Sequence, residues 1–480
     1  MARRAERLLS VTALALLALG APGCAVGPDF VRPEPPIASR YTPDPEPEVL
    51  TPGADRQQVR LAEDISAAWW ELFRSDALDD VVKRALDGSP NLALSRATLA
   101  QAHEAVLAAR GAYYPQVDAS GHVQEQDNHN INRNELHDQT SYSLGLNVSY
   151  VLDVFGGVRR NVEQQQALAE FQRYELAAAW LTLTGNAVTQ SISIASLRAQ
   201  IEAVEDEVAD DQRSLDLVER KFEAGKVARS DVLTASTQLA SDEAQLPVLR
   251  QQLAAAEHAL SVLAGQAPAV WSPPEFGFTD FTLPVELPLT LPSELVRQRP
   301  DILAAEADLH AASAAIGVAT ANLFPQFTLT GAVSVAEAGA IMSTPGAAYT
   351  LAGQVLQPVF HGGTLRAQRR AAIDAFDASR ARYAQTVLTG LQQVADTLRA
   401  LDHDAARLDA ERRLLSTAEE ALSLNRLRYD AGKIDLLTLL DSQRSYQQAR
   451  LGVAQAQGQQ LTDSAELYVA LGGGWWNAEI

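Results

Sequence analysis

A chain of 480 residues with a formal net charge of −21 leaves room for two or three ordinary domains or for one large repeated unit. The first 23 residues carry Arg3, Arg4, Arg7 and Glu6, so their removal would take the charge to −23. A chain this acidic lacks the basic footprint that phosphate backbones require, which excludes nucleic acid as a partner.

In chain order, the first element is a targeting signal over 1–23. A basic start is followed by the apolar run LLSVTALALLALG and small residues, too short a run to span a bilayer. Cys24 is the only cysteine, so no intramolecular disulfide can form. The stretch APGCAVGPDF resembles a bacterial lipoprotein signal, which implies acylation (palmitate) at Cys24 and, with Ala25 after it, sorting to the outer membrane. The alternative is a free thiol behind a plain signal peptide. Acyl chains contribute about 0.8 kcal/mol per buried methylene, so several together would anchor the chain. Eight prolines between 28 and 52 make 24–60 an extended tether, with structure expected to begin near AWWELFRSDAL.

Residues 75–113 and 293–323 are Ala-rich with helical spacing, each expected to end just before an aromatic-Pro-Gln. The period then changes to two. Tyr142, Leu144, Leu146, Val148, Tyr150 and Leu152 alternate with Ser143, Gly145, Asn147 and Ser149. Strands are expected at about 116–125, 141–152, 326–336 and 348–357, and the intervening QEQDNHNINRNELHD reads as a polar extracellular loop. Long helical passages follow Gly156-Gly157 and Gly362-Gly363. Val387, Leu391, Val394, Leu398 and Leu401 step 4-3-4-3 like a coiled-coil seam. Ile201, Val204, Val208, Leu215 and Val218 do the same, with Asp211 interrupting. A helix over 158–223 would be a rod of about 100 Å. Helices about 363–430 and 434–471 are its second-half counterparts, and Pro247 should kink the shorter return helix of the first half.

The halves match. Pro115 corresponds to Pro325, and KFEAGKVARSDVL corresponds to RYDAGKIDLLTLL with Gly225 on Gly432. The chain therefore divides into a first repeat over 61–270, a proline-rich linker over 271–292 and a second repeat over 293–480. Ten-residue strands with one apolar face are what a membrane β-barrel uses, yet four cannot close a barrel and open edges are not tolerated in lipid. Copies must associate: two would give eight strands with a filled interior, three would give twelve and a lumen.

The stretches RPDILAAEADL and LLTLLDSQRS, together with CAVGPDFVRPEPP and AWWELF, resemble the TolC-type outer-membrane efflux channels, especially the lipoprotein branch found in tripartite multidrug pumps. The resemblance covers nearly the whole mature chain. It implies a mixed, mainly α fold with a membrane β-barrel: internally duplicated helix-strand-strand-helix-helix halves, assembled as a homotrimer with a twelve-stranded β-barrel and a twelve-helix tunnel. It also implies an outer-membrane location with the tunnel projecting into the periplasm, a periplasmic adaptor, and an inner-membrane, proton-driven pump. By position in LLTLLDSQRS, Leu437, Asp441 and Arg444 match the family's periplasmic gate, and their spacing puts them on one helix face. The alternative for Asp441 and Arg444 is a solvated helical pair. Some relatives carry an acid at the position of Thr438, whose first-half counterpart is Asp231. Gly225, Lys226, Gly432 and Lys433 look like the adaptor-docking tips, with simple helix capping as the other reading.

No HExxH, Cys-His, GxSxG or phosphate-loop spacing occurs, so the sequence indicates no catalytic, cofactor or metal residues and no enzyme. The alternatives to an efflux duct are a type I protein-secretion conduit and a non-conducting, envelope-spanning structural lipoprotein.

Overall fold

The computed structural model describes residues 25–35, 37–38, 40–43, 57–61, 65–130, 135–338 and 346–478. The signal peptide and Cys24 lie outside the described residues. The helices are α1 (Asp76–Gly88), α2 (Pro90–Gly111), α3 (Gly157–Glu223), α4 (Arg229–Glu243), α5 (Gln245–Leu263), α6 (Pro292–Gln298), α7 (Pro300–Ala321), α8 (Thr364–Asp430) and α9 (Leu436–Ala470). The strands are β1 (Gln58–Leu61), β2 (Gln116–Asn130), β3 (Glu135–Leu152), β4 (Glu286–Leu289), β5 (Gln326–Ala338) and β6 (Gly346–Leu356). The chain forms two compact units, one of 1–33, 98–172 and 304–384, the other of 34–97, 173–303 and 385–480.

The first unit is organised by a four-stranded sheet in the order β2-β3-β5-β6, antiparallel throughout. Period-two alternation fixes its register, because a one-residue slip would turn every side chain to the other face. Leu146 lies opposite Val333 and Val333 opposite Tyr349, while Val117 opposes Val148 and Val123 opposes Tyr142. These apolar residues are exposed: Leu144 by 69%, Val333 by 56% and Tyr349 by 87%. The other face is polar, where Asn147 Nδ2 donates to Ser120 Oγ at 3.0 Å across β3 and β2. The stretch read as a polar loop is mostly strand, since the ladder runs on from Gln124–Ser141 to Asn130–Glu135, leaving 131–134 outside the described residues. Backbone pairing continues there after the apolar alternation has stopped, so the hydrophobic pattern underestimates strand length.

In the same unit, residues 25–33 lack regular structure but are not a loose tether. Val26 N–H donates to Phe155 O at 3.0 Å, Arg160 pairs with Asp29 at 2.6 Å, and Phe30 stacks on His310 with centroids 4.4 Å apart. Gly317 admits this segment: a Cβ there would fall 2.6 Å from Arg160 Cγ, and one on Gly27 would fall 2.5 Å from Gly317 Cα.

The second unit has its core around Trp69, Phe73, Leu78 and Tyr468, all 0–1% exposed, with Trp69 stacked on Tyr468 at 5.5 Å. Helix α1 starts at Ser75, whose Oγ accepts from Leu78 N–H at 3.3 Å. The Ala-rich segments are each two helices, because Pro90 and Pro300 open new helices at the first-turn position where a missing N–H costs nothing. The second helices end at Gly111 and Ala321, a turn ahead of the prolines at 115 and 325. The tether and the linker also contribute structure, as β1 and β4 pair in parallel from Gln58–Glu286 to Leu61–Leu289. The interruption expected at Pro247 falls at Ala244, three residues earlier. Proline has no N–H for the carbonyl four residues back and its ring crowds that carbonyl, so the ladder ends there. In the second half α9 runs unbroken over 35 residues.

Candidate functional site

The long helices end in the same way. Past α3, Gly225 has φ +70° and its N–H donates to Phe222 O at 2.8 Å, while Lys226 N–H reaches Lys221 O at 2.8 Å. Past α8, Gly432 has φ +69°, bonding Tyr429 O at 2.9 Å, and Lys433 N–H reaches Arg428 O at 2.8 Å. These are Schellman closures, which need a residue in the left-handed region. No atom lies within 4 Å of where a Cβ on either glycine would sit. Replacing Gly432 or Gly225 with Ala should therefore cost only the left-handed strain, about 1–2 kcal/mol, read as a small fall in thermal midpoint.

The return helices are capped differently. In α4, Asp231 Oδ2 accepts from Ala228 N–H at 3.1 Å, the acid reaching back from the third helical position. In α9, Asp435 is the cap itself, and its Oδ1 accepts from Thr438 N–H at 2.9 Å and from the Thr438 hydroxyl at 2.6 Å. Those donors hold the Asp435 carboxyl below its ordinary value. Asp231 and Thr438, which the sequence aligns, thus sit at the same third helical position, and in α9 the carboxylate stands three residues earlier, at the cap.

Both tips share one apolar cluster. Val218 of α3, Ala235 of α4, Leu422 and Tyr429 of α8, and Leu436, Leu439 and Leu440 of α9 are buried together. Lys221 Nζ lies 3.9 Å over the Tyr429 ring, joining α3 to α8. Leu436, Leu439 and Leu440 face this core, which leaves Leu437 on the opposite face, 58% exposed. Asp441 and Arg444 occupy that outer face too, paired at 3.3 Å with side chains 63% and 47% exposed. Arg444 Nη2 also donates to Gln238 Oε1 of α4 at 3.2 Å, so it bridges two helices. Beside it lies an open groove of about 610 Å³, lined by Thr237, Gln238, Asp242, Arg444 and Gln447 among others. Gln238 was not legible from sequence, since nothing local to a polar helix marks a partner 206 residues away.

One turn further into the helices, Asp211 occupies the seam position between Val208 and Leu215 and is 1% exposed. Glu207 (4%) and Asp242 (2%) are buried beside it, with carboxylate oxygens of the three within 4.8 Å of one another. Burial, then a side-chain hydrogen bond with Asp242 and the charges of Glu207 and Asp242, pushes the Asp211 carboxyl up to about 8. Burial and Asp242 push Glu207 to about 7, against the pull of Arg450 and Arg426. The break in the seam at Asp211 was the sequence signal for this cluster.

The family model described as outer membrane efflux protein matches residues 81–266 and 291–473. The chain is 32% identical over 416 residues to the pyoverdine export outer membrane protein OpmQ of Pseudomonas aeruginosa, covering 85% of this chain and 87% of that one. It is 28% identical over 474 residues to the solvent efflux pump outer membrane protein SrpC of Pseudomonas putida, covering 97% and 98%. Its fold matches that of the outer-membrane channel OprN with a TM-score of 0.84 at 28% identity, over 94% of this chain and all of that one. The chain belongs to the outer membrane efflux protein family.

Proposed function

We propose that three copies of this chain form the exit duct of a tripartite efflux pump. The observation that carries the reading is the sheet of the first unit: an exposed apolar face across four strands, with β2 and β6 unpaired on their outer edges among the described residues. Lipid accepts the face but not the edges. Three sheets closed edge to edge give twelve strands with the polar face inward, wide enough for a lumen. The duplicated helical hairpins, four long helical segments per chain, then make a twelve-helix periplasmic tunnel, and acylated Cys24 anchors each copy to the outer membrane.

The duct is passive, and its gate is at the tips. Leu437, Asp441 and Arg444 face away from the tip core, so in a trimer they line the axis, and Arg444 holds α9 to α4 through Gln238. Docking of an adaptor's helical hairpin at Gly225, Lys226, Gly432 and Lys433 opens it, with an inner-membrane, proton-driven pump supplying cargo. OpmQ and SrpC are named for different cargoes, pyoverdine and solvents, as suits a duct that contacts its cargo weakly.

Planar-bilayer reconstitution tests this. The wild type should conduct at a low resting level, and Arg444→Ala should raise it several-fold by releasing α9 from α4, as should Asp441→Ala by removing the carboxylate that holds Arg444 in place. Resting conductance unchanged in both removes them from the gate. A protein without any conductance would be a structural lipoprotein, and export of a polypeptide with its cognate pump would make it a secretion conduit.

A further inference from the structure

We propose that Glu207, Asp211 and Asp242 form a divalent-cation site, of the calcium class, inside each protomer's α3–α4 hairpin. The three carboxylates bring a formal charge of −3 into a buried helix seam, with Asp242 at the edge of the open groove beside Arg444. Asp242 accepts from Gln238 Nε2 at 2.7 Å and Gln245 Nε2 at 2.8 Å, and Gln447 Nε2 lies 3.5 Å away. These donors are neutral amides. Both oxygens of Asp211 and Oε1 of Glu207 are buried without any hydrogen-bond donor. The arginines nearest to the cluster are already engaged, Arg426 with Asp210 at 3.1 Å and Arg450 with Asp206 at 2.9 Å. A second acceptor without a donor, Oε1 of Gln443 (1% exposed), lies one turn from Gln447 on α9, and its amide is 3.4 Å from Ser214, one turn beyond Asp211.

Buried acceptors of this kind are rarely left unpaired, and a buried carboxylate needs a counter-charge. Oxygens within 4.8 Å of one another can share one ion at the calcium–oxygen distance of about 2.3–2.6 Å. Two further features call for positive charge at this point. Asp242 is the penultimate residue of α4, the helix end where the dipole disfavours an acid. Packing does not require the acids either. The long helices are 67 residues each, and 207 residues on from Glu207, Asp211 and Asp242 stand Leu414, Ala418 and Ala449. Ala418 (7% exposed) and Ala449 (0%) fill their two positions with methyl groups, while Leu414 turns outward, 52% exposed. A cation here would tie α3 to the end of α4 beside the α4–α5 break, stiffening the hairpin below Gln238 and Arg444.

The site touches the proposed gate through Gln238, which donates to Asp242 and accepts from Arg444, and the experiment keeps the two apart. Full-length protein in detergent is stripped with chelator and melted with increasing calcium chloride, and its calcium content is measured after gel filtration. The wild type should bind one calcium per chain and melt at a higher temperature with calcium than with equal sodium. Asp441→Asn should keep both properties, while Glu207→Gln and Asp211→Asn should lose them. Absence of bound calcium and of any calcium-dependent shift in the wild type overturns the proposal, as does retention of both in Glu207→Gln and Asp211→Asn. Asp211→Asn melting above wild type whether or not calcium is present would mean that Asp211 and Asp242 share a proton instead, and it too overturns the proposal.

Discussion

Replacing Arg299 with alanine should cost roughly 3–5 kcal/mol and lower the thermal midpoint of the detergent-solubilised chain by about 3–5 °C, the loss being spread over the unfolding entropy of 480 residues. Arg299 is 7% exposed and lies between α6 and α7. Its guanidinium spends every branch. Nε donates to Asp301 Oδ1 at 3.0 Å, and Nη2 donates to Asp301 Oδ2 and to Gln393 Oε1 of α8, each at 2.7 Å. Nη1 donates to Ala470 O at 2.8 Å, one of the carbonyls that the end of α9 leaves without an intrahelical partner. One side chain therefore fastens α7, α8 and α9 together. Gly390 makes the space, since a Cβ there would lie 3.3 Å from Arg299 Nε and 3.2 Å from Ile302 Cδ1. Removal takes the charged donor from the Ala470 carbonyl and from the Asp301 carboxylate, whose side chain is 41% exposed beside an open pocket. Arg299→Lys keeps the charge but not the planar fork, and should recover little of the loss. A midpoint within two degrees or so of wild type for Arg299→Ala would show that water replaces these bonds without penalty.

Arg299 also marks how far the sequence could be read. The stretch RPDILAAEADL stood out as a family signature, but its role did not. Asp301 is two residues away, whereas Gln393 and Ala470 are distant in sequence and are brought to it only by tertiary packing. The same division runs through the molecule. Period two placed β2, β3, β5 and β6, and the 4-3 seam placed α3 and α8, because each is a local consequence of one apolar face. Gly225 and Gly432 were legible because a left-handed helix end has few other solutions. The β1–β4 pair was not legible, since it lies in two proline-rich stretches and holds together through four residues from each. Nor could a pattern of local polarity show that Asp211 meets Asp242 across two helices.

The buried pair of Asp404 and Asp463 gives a pH dependence that a cation-bound cluster of Glu207, Asp211 and Asp242 would not. Asp404 of α8 (9% exposed) faces Asp463 of α9 (5%), and Asp404 Oδ2 has no donor. Burial first, and then the hydrogen bond and charge of Asp463, push the Asp404 carboxyl from 3.8 up to about 8, with Arg407 pulling it down. On the other side of the pair, Gln459 Nε2 donates to Asp463 Oδ1 at 3.0 Å, which keeps that carboxylate an acceptor. Burial and the charge of Asp463 likewise raise Glu466 on the same helix. The folded chain thus holds a proton on Asp404 that the unfolded chain releases near 3.8. Its contribution is complete below that value, falls as pH rises and is gone once pH passes about 8, where two facing carboxylates repel between α8 and α9. A tenfold difference in proton affinity is about 1.4 kcal/mol, so the wild-type midpoint should drop clearly between mildly acidic and alkaline buffer. Asp404→Asn carries a permanent donor in place of that proton. Its midpoint should change less with pH and should exceed wild type above about pH 8, while at mildly acidic pH the two proteins should nearly coincide. Parallel curves for the two proteins across that range would mean that Asp404 is ionised throughout and that the α8–α9 seam tolerates both charges. The positions 207 residues earlier, Leu197 and Ala256, offer the complementary check. Ala256 is 6% exposed, so Ala256→Asp, which puts a carboxylate at a buried position, should introduce a fall in midpoint with rising pH in the first half as well.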